Sequence, residues 1–208
     1  MHPTRNTLPS TVRTRSVDTL NHHLASAIDL HAQVRQARWN VRGANCVALH
    51  LLFDRVAARV DGYANLLAGR TAALGGTAHC TVQAAAERSF LLPYHLGVAD
   101  APRHLFALSG ALASFGQATR EAAGNAVEAG DPATADILME ITRGIDQQLW
   151  LVESHHAPAA VQPSRFRRLA RAMGEGEVGP GGMTALSKPD GSLESWTNEG
   201  GPDSAPRP

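Results

Sequence analysis

The sequence predicts an all-α protein, a four-helix bundle with a short helix in the long connection between helices 2 and 3. Two observations predict it. Apolar residues recur at three- and four-residue steps over four separate stretches, the period of one helix face. The composition agrees: of 208 residues 43% are hydrophobic and only 5% aromatic, with Ala, Leu and Arg abundant. That apolar share is enough for one sizeable core, so one main domain with appendages is expected.

Residues 1–16 mix Pro, Thr, Ser and Arg, and a flexible basic arm is expected there. From Val17 the pattern changes. Val17, Leu20, Leu24, Ile28, His31, Arg35 and Arg38 share one face of a first helix, which Gly43-Ala44-Asn45 closes. A second helix carries Leu49, Phe53, Val56, Val60, Tyr63 and Leu67 and stops at Gly75-Gly76. A short helical stretch follows around Thr81–Arg88. Asp100 is placed to cap a third long helix, with Pro102 in its first turn and Leu105, Leu108, Leu112 and Phe115 as its stripe. Gly130-Asp131-Pro132 closes that helix, caps the next and starts it. Ile137, Ile141, Ile145, Leu149 and Val152 line the fourth, and Pro158 and Pro163 end the ordered part. The bundle is thus expected over 17–158, and a mostly disordered tail over 159–208 with a basic segment at 164–173.

Formal net charge is zero but unevenly spread. The arm carries Arg5, Arg13 and Arg15 without an acid. The segment 164–173 carries Arg165, Arg167, Arg168 and Arg171, also without one. Basic ends on a slightly acidic body point to a polyanion as partner for the ends. No apolar run approaches the length of a membrane span, and no leader is apparent. The expected location is the cytoplasm, with Cys46 and Cys80 reduced.

The most specific stretch is Arg35-Gln36-Ala37-Arg38-Trp39-Asn40-Val41-Arg42-Gly43-Ala44-Asn45, followed by His50-x-x-x-Asp54. Leu74-Gly75-Gly76, Thr134-Ala135-Asp136-Ile137-Leu138 and Asp146-x-x-Leu149-Trp150-x-x-Glu153 follow in order. Together, over about residues 17–157, they resemble the Dps family, the DNA-protecting miniferritins of the ferritin-like superfamily. The resemblance implies a ferritin-like bundle assembled into a dodecameric shell, with iron sites at two-fold interfaces. It also implies Fe(II) oxidation, iron storage, a stress response and, in many members, DNA binding and nucleoid association.

Mapped by motif, the iron-site positions fall on Arg38, His50, Asp54, Asn65 and Gly69. The family has His, His, Asp, Asp and Glu there, so positions 38, 65 and 69 are degenerate. Iron prefers carboxylate and imidazole donors, and negative ligands favour its oxidation. A guanidinium cannot deprotonate to become a ligand. At about 4 Å it repels a metal cation by several kcal/mol at an effective dielectric of roughly 20. Loss of ordinary ferroxidase activity is therefore expected, with Arg38 paired to Asp54 or Asp61 at the subunit interface in place of iron's charge. Asp61 and Asn65 each lie within about 20° of Asp54 around the helix. One alternative is therefore an active ferroxidase with a rearranged site using His50, Asp54 and either Asp61 or His31. Another is a structural subunit that co-assembles with an active paralogue.

The resemblance places Trp39 and Trp150 near the interface. His22 and His23 lie on the first helix, and His155-His156 at the end of the last helix are weak metal candidates. By the same resemblance Asp131, Asp136 and Glu140 line a three-fold cation pore; the alternative is a capping Asp131 beside two solvated acids. Multiplied over a shell, weak phosphate contacts from Arg5, Arg13, Arg15 and the segment 164–173 would make non-specific, salt-sensitive DNA binding.

Overall fold

The computed structural model describes residues 1–43 and 46–156. Five helices run in the order α1 (Ser10–Asn40), α2 (Cys46–Ala73), α3 (Val82–Arg88), α4 (Ala101–Glu128) and α5 (Pro132–Glu153). The pairs α1–α2 and α4–α5 each pack lengthwise. The crossover 74–100, which contains α3, carries the chain from one pair to the other. One long crossover between two helical hairpins is a ferritin-like connection.

Local chemistry accounts for the ends. Thr81, Asp100 and Asp131 each accept a backbone N–H of the first turn of α3, α4 and α5. Gly75 and Gly130 take positive φ, +80° and +84°, just past α2 and α4. The start of α1 departs from expectation. It begins at Ser10 directly after Pro9, with no side-chain cap, so most of the expected arm over 1–16 is helix or held against the bundle. His2 N–H donates to Gly75 O at 2.6 Å, and the Arg13 guanidinium donates to Leu8 O and Leu74 O. Ser16 is buried. The tail 159–208, its basic segment and Ala44-Asn45 lie outside the described residues.

The core is filled by Leu20, Leu24, Leu30 and Val34 of α1 and Phe53, Val56, Val60 and Leu67 of α2. Leu108, Leu112 and Phe115 of α4 meet Leu138, Ile141 and Ile145 of α5. Burying each such side chain contributes about 1.5–3 kcal/mol. The expected stripes of α2 and α4 are the buried ones. That of α1 is right only to Leu24: further on, Ala27, Leu30, Val34 and Ala37 face the core, while Ile28, His31, Arg35 and Arg38 are half-buried on its flank.

A second face of α1 explains the shift. Asn21 donates to Thr77 O at 3.0 Å and accepts His79 N–H at 2.8 Å. Ser26 accepts Phe90 N–H at 3.1 Å, Asp29 accepts the Ser89 hydroxyl at 2.6 Å, and Gln33 donates to Leu92 O at 3.1 Å. The crossover has little regular structure of its own, so α1 satisfies much of its backbone. Its far end is tied by Arg42 N–H to Ala99 O at 2.9 Å, and by the Tyr94 hydroxyl on Nδ1 of buried His104 at 2.6 Å. Burial pushes His104 down and Tyr94 up to about 12, so the phenol donates and the neutral imidazole accepts.

Between the hairpins, the hydroxyl end of Tyr63 in α2 closes on Gly144 in α5. A Cβ at Gly144 would sit 2.7 Å from the phenol ring carbon Cζ, whereas one at Gly124 meets nothing within 4 Å. Gly144→Ala is expected to destabilise by about 1–3 kcal/mol through overpacking. Gly124→Ala should instead stabilise by about 0.5–1 kcal/mol through helix propensity. Urea denaturation midpoints of the two variants read the difference in sign.

Candidate functional site

The second half of α1 and the first half of α2 bring Arg38, His50 and Asp54 to one corner. Arg38 Nε donates to Asp54 Oδ1 at 2.9 Å. That hydrogen bond holds the Asp54 carboxyl below the usual range, and the charges of Arg38, Arg35 and His50 add to it. The same bond raises Arg38. The expected pairing is therefore with Asp54. It forms within one chain rather than between two, and both side chains keep solvent access, 31% and 48% exposed.

Asp61 does not pair with Arg38 within the chain: Asn65 Nδ2 donates to its carbonyl at 3.1 Å and reaches its carboxylate at 3.4 Å. Gly69 is exposed and opens on free space. His31 is half-buried on the same flank of α1. Among the described residues no group of three or more His, Cys, Asp or Glu side chains is placed to hold a metal. The corner offers one imidazole and one carboxylate already bound to a guanidinium, a donor set that does not fit iron.

Trp39 and Trp150 are each 63% exposed on the single chain. The Arg35 guanidinium lies over the Trp39 ring, 4.7 Å from its centroid. Sequence reasoning placed Arg35 on the helix face but gave it no site role; its i,i+4 spacing to Trp39 was the available signal. His23 is buried, and its Nδ1 donates to Thr19 O at 2.9 Å. Burial pushes this imidazole down. His22 stacks on Phe90 with ring centroids 5.6 Å apart, and His155 caps Leu151 O at 2.9 Å.

The three expected pore acids separate. Asp136 and Glu140 are exposed, one turn apart on α5. Asp131 is fully buried and lines no open surface of the chain. It pairs with Arg70 at 2.7 Å and accepts hydrogen bonds from Ser16 Oγ at 2.8 Å, Thr134 Oγ1 at 2.6 Å and Thr134 N at 3.1 Å. Burial pushes its carboxyl up, but those hydrogen bonds and the Arg70 charge outweigh it, and the net shift is downward. Of the N-terminal arginines, Arg5 and Arg15 are exposed, while Arg13 is committed to Leu8 O and Leu74 O. Arg165, Arg167, Arg168 and Arg171 lie outside the described residues.

Comparison with known proteins agrees with this architecture. The model of the ferritin-like domain matches residues 17–158. A DNA protection during starvation protein of Agrobacterium fabrum is 36% identical over 154 residues, 74% of this chain and 95% of the relative. Among solved structures, DpsC from Streptomyces coelicolor superposes with a TM-score of 0.71 at 29% identity, covering 77% of this chain and 93% of that one. Mycobacterium smegmatis Dps gives 0.72 at 25% identity, covering 78% and 98%. The fold is that of the ferritin-like proteins, and within them the chain belongs to the Dps family of miniferritins.

The buried pair yields a stability prediction. A carboxyl lowered on folding contributes stability above its unfolded pKa, about 3.9, and loses it as the pH falls through the folded value. Arg70→Met leaves Asp131 buried without its cation and should cost about 3–5 kcal/mol. It also raises the folded pKa, so this carboxyl loses less stability on acidification, and the deficit against native protein should shrink as the pH falls below about 4. Thermal denaturation between neutral pH and about pH 3 measures both effects.

Proposed function

We propose that this chain builds a Dps-type shell that protects DNA by association and sequesters metal cations, without oxidising iron at the Arg38 corner. The observation that carries the reading is the Arg38–Asp54 ion pair at 2.9 Å. It puts a fixed cation where the family has a ligand, and it occupies one of the two donors that remain. The substitutions at 65 and 69 are consistent with it.

DNA protection is the role named for the Agrobacterium relative. It extends to this chain through Arg5 and Arg15, which are exposed, and through the basic segment 164–173. Asp136 and Glu140 supply the cation route: repeated around a three-fold axis of a dodecamer, they would focus negative potential. No helix of the described residues is long and apolar enough to cross a membrane, in keeping with a cytoplasmic, nucleoid-associated shell.

The test is anaerobic loading with Fe(II), then hydrogen peroxide, following Fe(III) absorbance against a protein-free control. Native protein should give no acceleration. The variant Arg38→His/Asn65→Asp/Gly69→Glu, which restores the donor set, should accelerate oxidation. Acceleration by the native protein would overturn the reading. In parallel, native shells should retard plasmid DNA at low salt and release it as salt rises, with a slope of about −0.9 per neutralised phosphate. Because Arg13 and Ser16 belong to the fold, Arg5→Gln/Arg15→Gln and deletion of 159–208 are the proper variants. Each should reduce the retardation and its salt slope.

A further inference from the structure

The corner that lost its metal chemistry has a charge balance of its own. Arg35, Arg38 and His50 lie close around a single carboxylate, Asp54. Arg38 sits in the last turn of α1, where one positive charge is accounted for by the negative helix end. Its Nε is given to Asp54, and its two Nη groups make no hydrogen bond among the described residues.

Arg35 is the unusual member. It makes no ion pair among the described residues. Its guanidinium is steered by the Trp39 ring at 4.7 Å, and its Nε is buried without a hydrogen-bond partner. A buried donor left unpaired is costly, the more so when it is charged. Two guanidiniums beside one carboxylate also repel each other. Both penalties are relieved by the same kind of ligand, one that brings negative charge and oxygen acceptors to the corner. Guanidinium forks match the oxygens of phosphate and carboxylate groups.

We propose that the Arg35–Arg38–His50 corner binds an oxyanion, supplied either as free phosphate or as the Asp61 carboxylate of a second copy of this chain. Asp61 is exposed on α2 and is met only by the Asn65 amide among the described residues. The inference builds on the ion-pair reading of Arg38 and turns it round: a position that draws cations in relatives of the resembled type draws anions here.

The experiment is equilibrium dialysis of the assembled full-length protein against labelled inorganic phosphate at low ionic strength, without iron. It can therefore fail separately from the peroxide assay. Three variants accompany native protein: Arg35→Gln, Asp61→Asn and the double variant. Arg35→Lys serves as a control that keeps charge but loses the fork, and circular dichroism melts confirm folding. If phosphate is the ligand, native protein binds it and Arg35→Gln weakens binding at least tenfold, with Arg35→Lys between. If Asp61 of a second copy is the ligand, native protein binds no phosphate, Asp61→Asn does, and the added Arg35→Gln abolishes it. Absence of phosphate binding in both native protein and Asp61→Asn overturns the proposal. So does binding that Arg35→Gln leaves unchanged.

Discussion

Helix α1 has to satisfy three surroundings at once, and the position of the site follows from that. In its second half, Asp29 and Gln33 hold the crossover, while Leu30, Val34 and Ala37 enter the core. At 100° per residue, Arg35 and Arg38 fall on the flank roughly opposite the crossover. They have nowhere to point but toward the exposed corner beside α2. The crossover is thus more than a connection. By binding one side of α1 it fixes the helix rotation that presents both arginines next to Asp54. A helix turned by even one residue position would exchange a core contact for a charged one, at a cost of a few kcal/mol.

The same chemistry recurs at two acidic positions. Asp54 and Asp131 are each taken by an arginine, Arg38 and Arg70. At Asp54 the pair is half exposed, solvent screens it, and its direct contribution to stability is small. At Asp131 the carboxylate is fully buried and surrounded by Ser16, Thr134 and Arg70, so the network ties the starts of α1 and α5 to the end of α2. One pair sets the charge of the exposed corner, and the other ties the two hairpins together.

How much of this was legible in sequence depends on the reach of each interaction. The helices, their caps at Asp100 and Asp131 and the stripes of α2 and α4 were legible because they are set by neighbours a few residues away. Arg38 stood out because it interrupts a motif whose other members are present. The register of α1 beyond Leu24 was not legible, since its polar face is defined by backbone atoms of Thr77, Phe90 and Leu92. Nor was the start at Ser10, whose turn is held by contacts with Leu74 and Gly75 rather than by a cap. Asp131 shows the difficulty most plainly. A capping acid and a pore acid look alike in Gly130-Asp131-Pro132, and the cation that decides between them is 61 residues away.

With Asp131 neutralised, the acidic surface near the start of α5 rests on Asp136 and Glu140. The proposed pore, with two exposed carboxylates per chain, would attract cations through a field that salt screens within about 8–10 Å. A fully desolvated carboxylate such as Asp131 would have been a stronger but costlier ligand, and its charge is instead spent internally on Arg70. The arrangement therefore favours loose, exchangeable attraction of cations at the surface over tight coordination. In the proposed reading, that is the behaviour of a shell that takes up cations without oxidising iron at the Arg38 corner.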